Sequence, residues 1–250
     1  MNLIVVYPGR FHPFHRGHKA SYDYLVNKYG ANSVFIATSD VQAPMTSPFT
    51  YSDKVEMMTK LGIPASHIVK VKNPYQAKEI TGDLPDPENT ALIFAVSEKD
   101  MTEGDARFKF GTKKNGDPSY MQPLPENLKK LQPLTKHAYV TVTPTVNFKV
   151  KGVDANSASA IRQMYIQGNE TDRNNIIADL YGDPDPELRR MFDQRLGVSQ
   201  KMQEFVYEAR QHLSERSLQL LEQVLILERE AHQGFTEDLR EDYVDEKKKL

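Results

Sequence analysis

Leu3 to Tyr7 is a short apolar run, rich in β-branched side chains, and it stops abruptly at Pro8-Gly9. Such a run reads as a buried strand. A helix is expected to open almost at once, near His15 or Arg16, and to run to about Tyr29 with Ala20, Tyr24 and Leu25 on its inner side. The same rhythm continues downstream. Strands are expected at Ser33–Thr38, His67–Val71, Ala91–Val96 and His137–Val142. A helix is expected at Tyr51–Leu61, where Val55, Met58 and Leu61 fall at helical spacing. Short strands separated by helices demand right-handed crossovers, and so an open, mainly parallel α/β sheet.

Two regions break that rhythm. Met101–Lys136 carries Gly104, Gly111, Gly116, Pro118, Pro123, Pro125 and Pro133, and reads as an extended loop with little regular structure. Its Arg107, Lys109, Lys113 and Lys114 form a basic cluster, either a solvated loop or a phosphate-binding lid. After Ile161 the pattern is helical to the end, broken once at Asp183–Pro186. Ser199–Ala231 holds no proline or glycine, and Met202, Val206, Ala209, Leu213, Leu220, Val224, Leu227 and Ala231 make a heptad-like apolar stripe with Arg216 at the skipped place. That stripe must be buried, against the chain's own core or in a homo-oligomer through this helix. Glu237–Lys249 is charged and expected to be solvated.

Composition excludes several classes of function. No cysteine occurs among the 250 residues, which rules out disulfides, a thiol nucleophile and cysteine-ligated metal. A formal net charge of −2 gives no global positive field for nucleic acid. The opening MNLIVVYPGR is too short an apolar stretch for a signal peptide or a membrane span, so a cytoplasmic protein (host cytoplasm if viral) with no membrane partner is expected. A P-loop of the form GxxxxGK[ST] is absent, so any phosphate cradle must be built differently.

The segment Gly9–His18, GRFHPFHRGH, supplies such a cradle. It sits where ligands of parallel sheets bind, at the carboxyl end of a strand and the N-terminus of a helix, whose free N–H groups and dipole attract phosphate. Gly9 lets the backbone approach a ligand closely. His15 and His18 share a face of the first helical turn and can donate hydrogen bonds to phosphate oxygens, while Gly17 leaves room for base or ribose. Gly9, Phe11, Pro13, His15, Gly17 and His18 all match the GxFxPxHxGH signature of the HxGH nucleotidyltransferase superfamily, which the chain resembles. The GRF opening is most similar to archaeal-type nicotinamide mononucleotide adenylyltransferases, with His12 where those enzymes have Gln or Asn.

A second segment, Asn156–Arg162 (NSASAIR), opens a helix after the last strand and resembles the superfamily's ISSTxIR motif. Ser157, Ser159, Ile161 and Arg162 match, with Ser159 for Thr; Asn156 and Ala158 depart from it. SPFTYSDK (from Ser47) resembles the NPFTxxER segment on the acceptor side, with Asp53-Lys54 for Glu-Arg. VSEKD (Val96–Asp100) stands where the family has a G-x-D loop beside the nucleotide. The core, the SEKD-type loop and the helical tail together are similar to some phage-encoded nucleotidyltransferase-like proteins.

The resemblance covers residues 1–167 and implies a Rossmann-like core there, a helical extension over 168–236 and a charged tail over 237–250. It implies catalytic roles for His18, His15 and Arg162, and nucleotide contacts from Gly9, Arg10, Phe11, Gly17, Ser157, Ser159, Ser97 and Asp100. His12, Phe49 and Asp53 fall on the acceptor side. Its partners would be a nucleoside triphosphate, ATP rather than CTP because RTxGIST is missing, and a phosphorylated small-molecule acceptor, with nicotinamide mononucleotide first. Mg2+ would arrive with the triphosphate and need no protein cage of its own. The rival reading is a catalytically altered member with a structural or assembly role, for which Asn156 and Ala158 speak.

Overall fold

In the computed structural model the described residues are 1–43, 46–101, 108–144, 146–154, 157–198 and 217. β1 (Asn2–Pro8) lies inside a six-stranded sheet, between β2 (Val34–Thr38) and β4 (Thr90–Val96). β3 (Ile68–Lys70) flanks β2, β6 (Ala138–Val142) flanks β4, and β5 (Met121–Pro123) closes the far edge, giving the order β3-β2-β1-β4-β6-β5. Every pairing in this sheet is parallel; Val5 sits opposite Val34 on one side and Ile93 on the other. The Rossmann-like α/β fold expected from the sequence is therefore the fold observed.

The apolar runs are continuous because both faces of the sheet are covered. Ile4, Val6, Leu92, Phe94 and Val96 point into one apolar cluster. Val5, Tyr7, Ile93 and Ala95 point into a second, together with Leu25 from α1 (Arg16–Tyr29) and Met57 and Met58 from α2 (Tyr51–Lys60). Side chains alternate between faces along each strand, so one pentapeptide, Leu3–Tyr7, seeds both cores. α2 starts at a capping box: the Thr50 hydroxyl accepts from Asp53 N–H, and the Asp53 carboxylate accepts from Thr50 N–H.

The chain leaves β1 toward β2 and β3, then returns to the other side of β1 through α3 (Lys78–Thr81) and β4. The strand order reverses between β1 and β4, and a crevice at the carboxyl ends of these strands is the natural ligand position in such a sheet.

Three features were not expected. Met101–Lys136 contributes β5, whose Met121 pairs with Ala138 of β6. At three residues with a terminal proline it is too short for a hydrophobic pattern, and Pro123 is tolerated because the strand lies on the edge. A hairpin, β7 (Lys149–Val150) and β8 (Val153–Asp154), turns through Lys151 and Gly152, both at positive φ. The helical region breaks twice before residue 198 rather than once. α4 (Ala158–Gln167) gives way to α5 (Glu170–Tyr181), which has its own capping box at Asn169 and Asp172, and only then comes the expected break before α6 (Pro186–Arg195). Ile176, Ile177, Leu180, Leu188 and Phe192 of α5 and α6 join the cluster that holds Val5 and Tyr7. The long helix expected over 199–231 and the charged tail lie outside the described residues, apart from helical Ser217. Among the described residues no helix is long and apolar enough to cross a membrane.

Candidate active site

The turn after β1 is tied down from both ends. Gly9 N–H donates to the Ala37 carbonyl of β2 at 3.0 Å. A Cβ on Gly9 would stand 2.4 Å from the Phe11 ring, so only glycine fits there. Phe11 itself takes a positive φ of 50° and folds its ring inward, edge-on to Tyr7, Phe14 and His18. Phe11 thus packs inside the turn and supports it.

His15 is the N-cap of α1, and its Nδ1 accepts the Gly17 N–H at 3.1 Å. That bond settles the tautomer: Nδ1 is the acceptor, so the proton is on Nε2. The ring is sandwiched between Phe148, stacked at 4.4 Å and 6°, and His18 at 3.8 Å. A Cβ on Gly17 would lie 2.9 Å from His15 Cε1, so this glycine is what lets the imidazole fold over the helix start. Its room is used by His15 and Phe148.

His18 packs on Phe11 and Phe14, and its Nδ1 is buried with no partner among the described residues. A buried bare nitrogen costs less than a buried orphan N–H, which favours the Nε2–H tautomer here as well. Burial lowers the His18 pKa to about 4, and burial together with the neighbouring His18 holds His15 well below its ordinary value. Both imidazoles are neutral at pH 7, each with an Nε2–H donor.

A cationic cluster stands beside His12, on the same turn. Arg162, on α4, is 6% exposed and donates from Nη1 to the backbone carbonyl of His12; its Nε has no partner among the described residues. Lys54, on α2, is 0% exposed and donates to the Ser39 carbonyl at 2.7 Å. Arg10 is exposed and near enough to lower the pKa of Lys54, Arg162 and His12. Among the described residues neither Lys54 nor Arg162 forms an ion pair. Burial, partly offset by Asp40 and Asp53, brings Lys54 down to about 8, and burial, Lys54, Arg162 and Arg10 bring His12 to about 3. Buried cations without counter-ions are costly, and an anion placed among them removes that cost.

The acceptor-side residues are largely supports. Phe49 is fully buried; its N–H donates to His12 Nδ1 at 3.3 Å and its ring lies nearly parallel to that imidazole. His12 Nε2 is left buried and unpartnered. Both Asp53 oxygens are engaged, one by the α2 cap and both by Arg195 at 2.7 and 3.2 Å.

Ser157 caps α4, accepting from Ala160 N–H at 3.2 Å, and its hydroxyl meets that of Ser159 at 3.0 Å. Both are exposed; Asn156 lies outside the described residues. Ser97 and Asp100 follow β4: Asp100 accepts from the Ser97 N–H and hydroxyl at 3.1 and 2.7 Å and from the Tyr75 hydroxyl at 2.9 Å. Burial raises the pKa of Tyr7, and the Asp100 charge adds to that rise. Lys109, Lys113 and Lys114 of the basic loop are exposed, and Arg107 lies outside the described residues.

Sequence reasoning did not single out Lys54, Phe148 or Tyr75 as parts of the site. Lys54 sits in a segment already recognised, but a lysine in a helix reads as solvated until its burial is seen. Nothing in the local sequence marks Phe148. Among the described residues no group of three or more His, Cys, Asp or Glu side chains has the arrangement of a metal site.

Residues 6–114 match the family described as Cytidylyltransferase-like. Over 55 residues the chain is 38% identical to a nicotinamide-nucleotide adenylyltransferase of Methanocorpusculum labreanum, covering 22% of this chain and 33% of that protein. Over 58 residues it is 34% identical to the enzyme of the same name from Sulfurisphaera tokodaii, covering 23% and 34%. The chain therefore aligns with about a third of the length of these curated relatives. Among solved structures, a bifunctional NMN adenylyltransferase/ADP ribose pyrophosphatase from Francisella tularensis, complexed with AMP and a manganese ion, aligns with a TM-score of 0.45 and 16% identity, over 84% of this chain and 55% of that one. A second structure of that protein aligns with a TM-score of 0.46 and 17% identity, over 84% and 56%.

Proposed function

We propose that this chain, which is similar to the Cytidylyltransferase-like family over residues 6–114 and carries the HxGH signature, transfers AMP from ATP to a phosphorylated small-molecule acceptor, nicotinamide mononucleotide first among candidates, and releases pyrophosphate. The observation that carries the reading is one turn that holds two neutral imidazoles, His15 and His18, and also His12, on which the buried cations Arg162 and Lys54 act. A triphosphate needs both cations for its charge and neutral donors for its oxygens.

An oxygen of the acceptor phosphate attacks the α-phosphorus of ATP in line. The bond from that phosphorus to the bridging oxygen breaks, and pyrophosphate leaves with the electron pair. No covalent enzyme intermediate is required, so catalysis is positioning plus charge stabilisation. His18 Nε2–H donates to the α-phosphate as charge develops. His15 and Arg10 hold the outer phosphates, and Arg162 with Ser159 holds the leaving pyrophosphate. Gly9, Gly17, Phe11 and Ser157 shape the cradle, and Ser97 and Asp100 border the nucleotide from the end of β4. His12 faces the acceptor through its free Nε2; Phe49 and Asp53 serve that side by holding His12 and α2. Magnesium enters as part of the Mg–ATP substrate. The reaction belongs to the cytoplasm, and self-association through the helix over 199–231 remains part of this proposal.

The test is pyrophosphate release with each nucleoside triphosphate against a panel of phosphorylated acceptors. ATP with nicotinamide mononucleotide should give the highest rate. A clear CTP preference would move the chain to the cytidylyltransferase branch. No release with any pair would favour the structural reading, for which Ala158, in place of a hydroxyl in the first turn of α4, is the observation.

A further inference from the structure

The helical extension does not simply cap the sheet; its side chains reach the parts of the site that must not move. Tyr181, the last residue of α5, donates its hydroxyl to the carbonyl of Phe14 at 2.9 Å, across 167 residues of sequence. Phe14 immediately precedes His15, and its own ring packs against His18. Phe192 of α6 packs at 4.8 Å on Phe49, the residue whose ring and N–H hold His12. Arg195, at the end of α6, makes a two-point contact with Asp53, the capping residue directly before Lys54. Three successive positions of the extension therefore hold the histidine turn, the acceptor-side imidazole and the start of the helix that carries the buried lysine.

We propose that α5 and α6 are a working part of the transfer site, with Tyr181 the positioning residue that sets the His15–His18 turn and Arg195 the one that sets α2. The inference rests on the nucleotidyl-transfer reading for its kinetic consequence, but its geometric content is independent of it. The Phe14 carbonyl sits one peptide before an N-cap whose imidazole orientation depends on the Gly17 N–H. Releasing that carbonyl lets the turn rotate, and a small displacement of a catalytic donor costs rate more than it costs binding.

The experiment compares the full-length protein with Tyr181→Phe, which keeps the ring and removes only the hydroxyl. ATP affinity should stay within about twofold of the parent while kcat falls about tenfold, because the cation cluster that binds charge is untouched. Imidazole 15N signals of His15 and His18, read without substrate, should shift from their neutral Nε2–H pattern or broaden. Unchanged imidazole signals in the folded variant overturn the proposal whatever the activity. Shifted signals in a protein whose parent releases no pyrophosphate with any pair sustain the positioning role and remove the transfer reading instead. A lower Tm with kcat and imidazole signals at parental values reduces Tyr181 to a structural contact and also overturns it. Should Tyr181→Phe not fold, Arg195→Met on the half-exposed rim carries the test: acceptor KM should rise about threefold or more while ATP affinity stays at the parental value, and an unchanged acceptor KM counts against the proposal.

Discussion

Arg162 on α4 donates from Nη1 to the backbone carbonyl of His12, 150 residues away in sequence. This bond joins the two segments that resemble superfamily motifs into one site. It also explains why the guanidinium is buried: one edge is spent on the histidine turn, and Nε has no partner among the described residues.

The proposed function gives Arg162 a second role beside this bond. Arg162→Ala should weaken ATP binding tenfold or more, the scale of a lost charge-assisted hydrogen bond of about 1.5–3 kcal/mol. It should also lower stability by about 1–3 kcal/mol, because the His12 carbonyl loses its donor. Calorimetric titration with ATP and a denaturant melt measure the two effects. Parental ATP affinity and turnover in the variant would leave the segment as a helix cap only.

His18→Ala should cut kcat by on the order of a hundredfold, the usual loss when a transition-state donor is removed. The cradle's other groups remain, so ATP affinity should change far less. A near-normal kcat would take the α-phosphate role from this residue.

Gly17→Ala tests the geometry without touching a polar group. The added methyl would stand 2.9 Å from His15 Cε1 and 3.2 Å from Phe148 Cβ. Something must shift, at a cost of about 1–3 kcal/mol for overpacking, and the imidazole is the mobile partner. Loss of the His15 Nδ1 to Gly17 N–H bond should appear as a shifted Gly17 amide, together with reduced turnover. An unperturbed amide and full activity would show that the cap orientation is not required.

The buried histidines make stability depend on acidity. His18 lies at about 4 and His12 at about 3, both below the ordinary 6.5, and His15 is lowered in the same direction by burial. Between those values and 6.5 the unfolded chain binds more protons than the folded one, so stability rises with pH across that window and is lost as pH falls through it. Above 6.5 these groups contribute no slope. The denaturation midpoint should drop from pH 7 to pH 5, and His18→Ala should flatten that drop. Equal midpoints at the two pH values would mean that the histidines are not held neutral by the fold.

Light scattering should show an assembly larger than 28.5 kDa, and removal of residues 214–250 should reduce it while some activity is retained. The deletion spares α5 and α6, whose side chains touch the site. A monomer at micromolar concentration would end the self-association proposal.

The sequence by itself determined the sheet and the cradle. Leu3–Tyr7 reads as a buried strand, Gly9 as a place where the backbone comes close to a ligand, and His15 and His18 as sharing a face of the first helical turn. These follow from local sterics and short-range periodicity, which need no knowledge of what packs above. The parallel order of the strands followed from their alternation with helices. β5 and the break at Gly168-Asn169 were not legible, the first too short to carry a pattern and the second hidden in residues that continue a helical composition. Only the tertiary structure decided which polar side chains were buried. Lys54 is one residue of an acceptor-side segment in the sequence, and only the fold buries it and bonds it to Ser39, as only the fold brings Arg195 to both oxygens of Asp53. Phe148 and Tyr181 became parts of the site through contacts with residues far away in the chain. Charge state and orientation depend on desolvation and on partners brought from distant segments, and those are set by how the helices close over the sheet rather than by any local run of residues.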